Sequence, residues 1–185
     1  MILYPLALFL HIVGALGLFT ALSLEWASLW QLRRAATVEQ IKQGFLIFAG
    51  LRRLYSLSWI TILLAGFYMA ATVWGWVAWI GVALAGVVLI GMLGDGLSGR
   101  RLAAIEPMVA AAQGALSPDL RQHLGDPLLW LSIQTRVAIA LGIVFLMTVK
   151  PGLTGALLTL GVAVTLGLAA AWPTPATGLR ATIKP

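Results

Sequence analysis

The sequence contains no cysteine and little charge of either sign. None of its 185 residues is cysteine, only 10% are charged, and acidic residues number 6. The lack of cysteine excludes disulfides, thiolate metal sites and iron–sulfur clusters, although it does not identify the redox compartment. A Walker loop, a dinucleotide-binding glycine motif, an HExxH pair and an internal repeat are also missing. Most common catalytic signatures are therefore absent from the sequence.

Hydrophobic residues are abundant and make up 61% of the chain. A helix needs about 20 apolar residues to cross the hydrocarbon core of a bilayer, about 30 Å thick. Five apolar runs approach or exceed this length, near residues 2–30, 54–73, 76–93, 127–149 and 153–172. We predict an all-α, polytopic membrane bundle formed by a single domain over residues 1–172. It comprises a four-helix core, one additional C-terminal helix and a flexible tail over residues 173–185.

The basic residues predict the orientation of this bundle. Of 12 Lys and Arg residues, one lies within an apolar run and one at the outer end of a run, while ten share the other face. The positive-inside rule then places the N-terminus outside and the C-terminus in the cytoplasm, as in a multi-pass protein of the bacterial inner membrane. The net charge of +6 is explained by this topology, so we expect lipid as a partner and no nucleic acid. The ten residues are Arg33, Arg34, Lys42, Arg52, Arg53, Arg100, Arg101, Arg121, Arg180 and Lys184.

The connections between the runs differ in length. Very short connections at residues 74–75 and 150–152 predict two tight antiparallel hairpins, which the topology places on the outer side. Residues 38–51 have helical character and polar residues, which indicates an interfacial helix continuing into the second run. The long connection at residues 94–126 favours a helix near residues 97–113, followed by a turn capped at Ser117-Pro118.

Four ionisable residues interrupt the first and fourth runs or end them. His11 and Glu25 lie fourteen residues apart in the first run, and Arg136 and Lys150 have the same separation in the fourth. Fourteen residues are nearly four helical turns, so each helix presents one polar edge. Because the two helices run in opposite directions, we expect His11 and Lys150 in the outer half and the other two residues in the inner half.

Glu25 and its partner are interpreted as a structural ion pair. Arg136 is one candidate partner, because its helix carries the facing polar edge. Arg52 and Arg53 are the other candidates, because counting ~1.5 Å per residue places Glu25 closer to the cytoplasm than Arg136. Intramembrane charges cost about 2.5–3.5 kcal/mol each on insertion scales, so each requires a partner or a function.

His11 has two interpretations, one structural and one functional. It is either a buried histidine bonded to a backbone carbonyl, or an axial ligand of haem iron or of copper. Lys150 either marks the end of its helix, where a cation is favourable, or neutralises a haem propionate or another anion. One intramembrane histidine cannot form a bis-histidine haem within a single chain. The site would be five-coordinate, would use Met or Lys as its second ligand, or would require a partner chain.

Two short segments resemble a known group of proteins. LFLHIVGALGLF around His11 and FLMTVKP ending at Lys150-Pro151 are similar to motifs of HemJ-type protoporphyrinogen oxidases and of the copper-resistance protein D family. Related predicted integral-membrane proteins of unknown function share this pattern, and the resemblance covers about residues 3–151. It implies a redox scaffold with haem b held by His11, with Lys150 as its polar partner. Since LEWASLWQL replaces the family's Pro-Arg-Leu element and a fifth run is added, it does not imply oxidase activity.

The sequence thus leaves three functions open. The first is binding of haem b or a similar redox ligand, with or without enzyme activity. The second is a non-catalytic subunit, as a homo-oligomer or as an assembly partner in a membrane complex. The third is transport of copper or a small anion. The sequence offers few ligands for a copper pathway, with one membrane histidine, no cysteine and scattered methionines.

Overall fold

Helices form the whole regular secondary structure of the described part of the chain. The computed structural model describes residues 3–114 and 116–171. Five helical stretches in these ranges are long and apolar enough to cross a membrane: Tyr4–Arg34, Val38–Trp74, Ala78–Ala111, Pro118–Val149 and Leu153–Ala171. The prediction of an all-α protein with five such helices is therefore confirmed. The predicted tail, 173–185, lies outside the described residues.

Seven α-helices and two π-helical segments build these stretches. The first π-helical segment, Ala70–Trp74, extends the second α-helix, and the other, Met92–Gly99, joins the third to the fourth. The α-helices are α1 (Tyr4–Arg34), α2 (Val38–Met69), α3 (Ala78–Gly91), α4 (Arg100–Ala111), α5 (Pro118–Leu124), α6 (Pro127–Val149) and α7 (Leu153–Ala171).

Two of the helices are longer than the apolar runs that predict them. The interfacial helix and the second run form one continuous helix, α2, as the sequence indicates. The third run, however, does not end near residue 93 but continues through the π-helical segment into α4. The glycine-rich stretch LGDGLSG, which favours a loop, widens the helical turn and keeps the backbone hydrogen-bonded.

The caps at the start of α5 and α6 follow the sequence. The Ser117 hydroxyl accepts a hydrogen bond from the Leu120 N–H at 3.2 Å, and Pro118 opens the helix. The Asp126 carboxylate accepts one from the Leu128 N–H at 2.8 Å. These bonds satisfy N–H groups that have no partner within the helix. α6 covers the same residues as the predicted fourth run.

Packing divides the bundle into two ends. The turn end contains the start of α1 and the short connections after Trp74 and Val149; the loop end contains the long connections. α1 packs along α2 and touches α6, while α3 packs against α6 and α7, which also pack on each other. A close approach of Gly86 to Ile143 holds α3 against α6.

The predicted hairpin of α2 and α3 is wrong. Over their described residues these consecutive helices make almost no close backbone contact, whereas α6 and α7 pack closely as predicted. Gly75 adopts φ +67° and Val77 is extended, so the chain leaves α2 at an angle that carries α3 away from it. The result is a gap at the turn end.

Candidate functional site

A cavity of about 200 Å³ lies at the turn end between α1, α2, α3 and α6. It occupies the gap left by the separation of α2 and α3. Its wall is mainly apolar, and its polar side chains come from α1 and from the residue that ends α6. The residues that line it are Tyr4, Leu8, His11, Ile62, Leu63, Gly66, Phe67, Met69, Ala70, Trp74, Trp79, Ile80, Ala83, Leu84, Val87, Met147 and Lys150.

His11 is half-buried in the wall of this cavity and is fixed by α2. Its Nδ1 lies 3.0 Å from the carbonyl oxygen of Ile62. Because a carbonyl oxygen only accepts, Nδ1 carries the proton and donates it, and Nε2 of the neutral ring keeps its lone pair. Gly66 lies against the ring, since a Cβ there would be 3.2 Å from His11 Cε1. The bond matches the structural interpretation of His11, and it is also the arrangement that orients histidine ligands of metals.

Lys150 borders the same cavity, so the structure brings together the two residues of the predicted cofactor site. Its N–H bonds to the Leu146 carbonyl at 2.9 Å, and the residue ends α6 with a left-handed φ of 52°. Its Nζ lies 4.8 Å from the centre of the Trp74 ring, within cation–π range. Lys150 therefore both ends a helix and places an exposed ammonium beside an apolar cavity.

A second polar cluster, the Glu25–Tyr55–Arg136 triad, lies in the half of the bundle nearer the loop end. Arg136 donates from both terminal nitrogens to the two carboxylate oxygens of Glu25, with Nη1 3.0 Å from Oε2. The Tyr55 hydroxyl donates to Glu25 Oε2 at 2.6 Å. Glu25 is 5% exposed and Arg136 3%. The triad thus joins α1, α2 and α6 through a buried, charge-balanced network.

The π-helical segment beside α3 makes room for this triad. A Cβ at Gly94 would lie 3.2 Å from Nη1 of Arg136, so the arginine occupies space that a side chain there would need. One turn away, the Ser132 hydroxyl donates to the Leu93 carbonyl at 2.7 Å. These contacts attach the π-helical segment to α6 at the level of the ion pair.

Of the candidate partners for Glu25, the structure shows Arg136 in the ion pair. Arg52 and Arg53 lie exposed on α2 and take part in none of the ion pairs within residues 3–114 and 116–171. The side-chain reach of arginine, together with that of glutamate, closes the depth difference that favoured Arg52 and Arg53. Tyr55 is missing from the sequence prediction, because a single tyrosine in an apolar run carries no charge signal.

The two polar clusters differ in what they leave available. In the triad the carboxylate accepts three hydrogen bonds and the two charges cancel. This arrangement fits a structural role in joining the helices. In the cavity, His11 keeps one free lone pair and Lys150 a free positive charge. Among the described residues no group of three His, Cys, Asp or Glu side chains is placed to hold a bare metal ion. The cavity is therefore the candidate site, and a metal there would need most of its ligands from a prosthetic group.

Comparison of the chain with protein-family models, curated proteins and solved structures gives no match. The resemblance seen in the sequence accordingly rests on the segments around His11 and Lys150 alone. What the cavity binds has to be inferred from its own shape and donors.

Proposed function

We propose that this chain is a multi-pass inner-membrane protein that binds haem b, or a similar flat redox ligand with an acidic group, in the turn-end cavity. The observation that carries the proposal is the bond from His11 Nδ1 to the Ile62 carbonyl within an apolar wall. It fixes the ring and leaves Nε2 free to ligate iron. The basic loop end supports an orientation with this cavity toward the outer leaflet.

The donors of the cavity fit one face of a haem. The His11 imidazole would hold the iron, and the surrounding side chains would supply the apolar contact that a porphyrin requires. The enclosed volume of about 200 Å³ is below the range of about 300–1,000 Å³ usual for ligand sites. A haem would therefore be enclosed only in part.

Lys150 supplies the charge that this ligand class needs. A ligand carboxylate moved into an apolar region is costly unless it is paired. The Lys150 ammonium is exposed at the cavity and rests against Trp74, so it can turn to an acidic group without leaving its place in the fold. Bound haem would supply one-electron redox chemistry, while His11 would orient it and the apolar wall would exclude water.

An absorption spectrum of the purified protein tests the proposal. After expression with adequate haem we expect a Soret band that shifts on reduction with dithionite. His11→Ala should lose the band, and His123→Ala should keep it, because His123 is exposed at the loop end and bonds only within its own helix. The two variants form a matched pair, since the chain has 2 histidines.

Two results would refute the proposal at different levels. A wild-type protein without a Soret band removes haem binding altogether. A band that survives in His11→Ala, while the variant elutes like wild type in size-exclusion chromatography, removes the ligand assignment.

A further inference from the structure

Two adjacent arginines at the loop end of α1 lie on tryptophan rings. The Cζ of Arg34 is 3.7 Å from the centre of the Trp30 ring, and that of Arg33 is 5.3 Å from the centre of the Trp130 ring. Trp130 in turn packs on Trp26, with 5.6 Å between ring centres. The arginine pair therefore rests on an aromatic shelf formed by α1 and α6.

The arginine pair is held in place but not neutralised. Nη2 of Arg33 donates to the Gly125 carbonyl at 3.2 Å, which uses one of the five N–H donors of its guanidinium. The nearby carboxylate of Asp126 is already bound by Arg101 at 2.8 Å. Within the described ranges neither Arg33 nor Arg34 forms an ion pair. Two positive charges with free donors are thus left without an acidic partner among the described residues.

The tryptophans indicate the depth of this pair in the membrane. Trp26 and Trp30 are 39% and 43% exposed at the end of a helix long enough to span a bilayer. Indole rings in such positions lie at the level of the lipid headgroups. Guanidinium groups stacked on them therefore lie at the level of the phosphates.

We propose that the arginine pair binds the phosphate group of an anionic phospholipid, with the lipid glycerol and upper chains against the aromatic shelf. Guanidinium groups form paired, charge-assisted hydrogen bonds with phosphate oxygens. A lipid occupant is favoured over free phosphate because the exposed indoles offer apolar contact directly beside the charge. This site is independent of the cavity around His11.

A second arginine pair provides a matched control. Arg52 and Arg53 are also adjacent and exposed in the same half of the bundle. Among the described residues neither stacks on an aromatic ring, and neither side chain bonds to a carbonyl. If general attraction to negative lipids were sufficient, the two pairs would contribute equally.

Native mass spectrometry of the full chain, titrated with phosphatidylglycerol or phosphatidylcholine in detergent, tests the proposal. We expect preferential binding of phosphatidylglycerol. Because Arg33 and Arg34 are held on the aromatic shelf and can form charge-assisted hydrogen bonds with the phosphate, Arg33→Gln/Arg34→Gln should weaken binding about thirtyfold. Arg52→Gln/Arg53→Gln should weaken it by less than about threefold, because that pair has no such support. Should the first variant fail to fold, Arg33→Lys/Arg34→Lys keeps the charge and should still bind several-fold more weakly, since lysine lacks the planar, paired donors.

Three results would overturn the proposal. One is equal binding of the two lipids by the wild type, and another is equal loss in the two glutamine variants. The third is full displacement of phosphatidylglycerol by millimolar inorganic phosphate, which would identify free phosphate as the ligand.

Discussion

Replacing Glu25 with glutamine tests whether the Glu25–Tyr55–Arg136 triad holds the bundle together. The substitution keeps the size and shape of the side chain but removes its charge. Arg136, 3% exposed, is then left as an uncompensated cation between α1, α2 and α6. We expect the helices to remain formed and their association to weaken.

The magnitude follows from the contacts that are lost. Breaking a buried ion pair by removing one partner costs about 3–5 kcal/mol. Tyr55→Phe removes the 2.6 Å bond from the hydroxyl to Glu25 Oε2 and the longer, 3.5 Å bond that the hydroxyl accepts from Arg136 Nη1. A hydrogen bond to a charged group is worth about 1.5–3 kcal/mol. Glu25→Gln/Arg136→Met removes both charges, so it should destabilise by less than the sum of the single variants, with a coupling of about 0.5–3 kcal/mol.

Reversible unfolding in mixed micelles of a mild detergent and dodecyl sulfate measures these differences. Arg52→Gln is the control, because this exposed arginine was an alternative partner for Glu25; its effect should stay within about 0.5 kcal/mol. Equal losses for Arg52→Gln and Glu25→Gln would show that the ion pair does not support the bundle. Strict additivity in the double variant would show that Glu25 and Arg136 act independently.

Two further predictions concern glycines, with Gly161→Ala as their shared control because a Cβ there meets open space. Gly167→Ala would place a Cβ 2.5 Å from the Thr135 backbone, so α6 and α7 must separate. We expect the free energy of unfolding to fall by about 1–3 kcal/mol in the same assay. A variant as stable as the wild type would contradict this packing. Gly66→Ala would press on the His11 ring at 3.2 Å; we expect several-fold weaker haem binding in a titration followed by the Soret band, and unchanged affinity would argue against ligation by this ring.

Hydrophobicity and capping chemistry predict most of the helical organisation. Five apolar runs correspond to five helices because a chain in lipid must satisfy its backbone hydrogen bonds internally. The same requirement explains why residues 94–96 are helical, although the sequence predicts a helix only from about residue 97. There the glycines suggest a loop, yet a π-helical turn keeps the backbone bonds formed. Local sequence therefore indicates where helices lie more reliably than where they end.

The spatial arrangement of the helices is harder to predict. A two-residue connection is compatible with a closed hairpin and with a divergent one, and the choice depends on what each helix meets elsewhere. α3 follows α6 and α7 because small residues such as Gly86 fit against Ile139 and Ile143. These contacts are between segments far apart in sequence, so the cavity between α2 and α3 has no local signature.

The site shows the same division between chemistry and geometry. The cost of polar groups in lipid singles out His11, Glu25, Arg136 and Lys150 from the sequence alone. Their pairing depends on side-chain reach, which helical rise does not describe, and so Arg52 and Arg53 remained candidates for Glu25. Tyr55 is not predicted, because its neutral phenol does not require a partner in an apolar helix as a charged side chain does.

The two polar clusters of the bundle therefore carry separate predictions. Nearer the loop end, the charges of the triad are paired and the starts of α5 and α6 are capped. At the turn end, α2 and α3 diverge, and the polar groups that face the gap are only partly satisfied. The triad and the cavity share no residue. Loss of the Glu25 charge should therefore lower the stability of the bundle without removing the groups proposed to bind haem. Loss of the His11 ring should remove the ligand while the triad keeps the helices together.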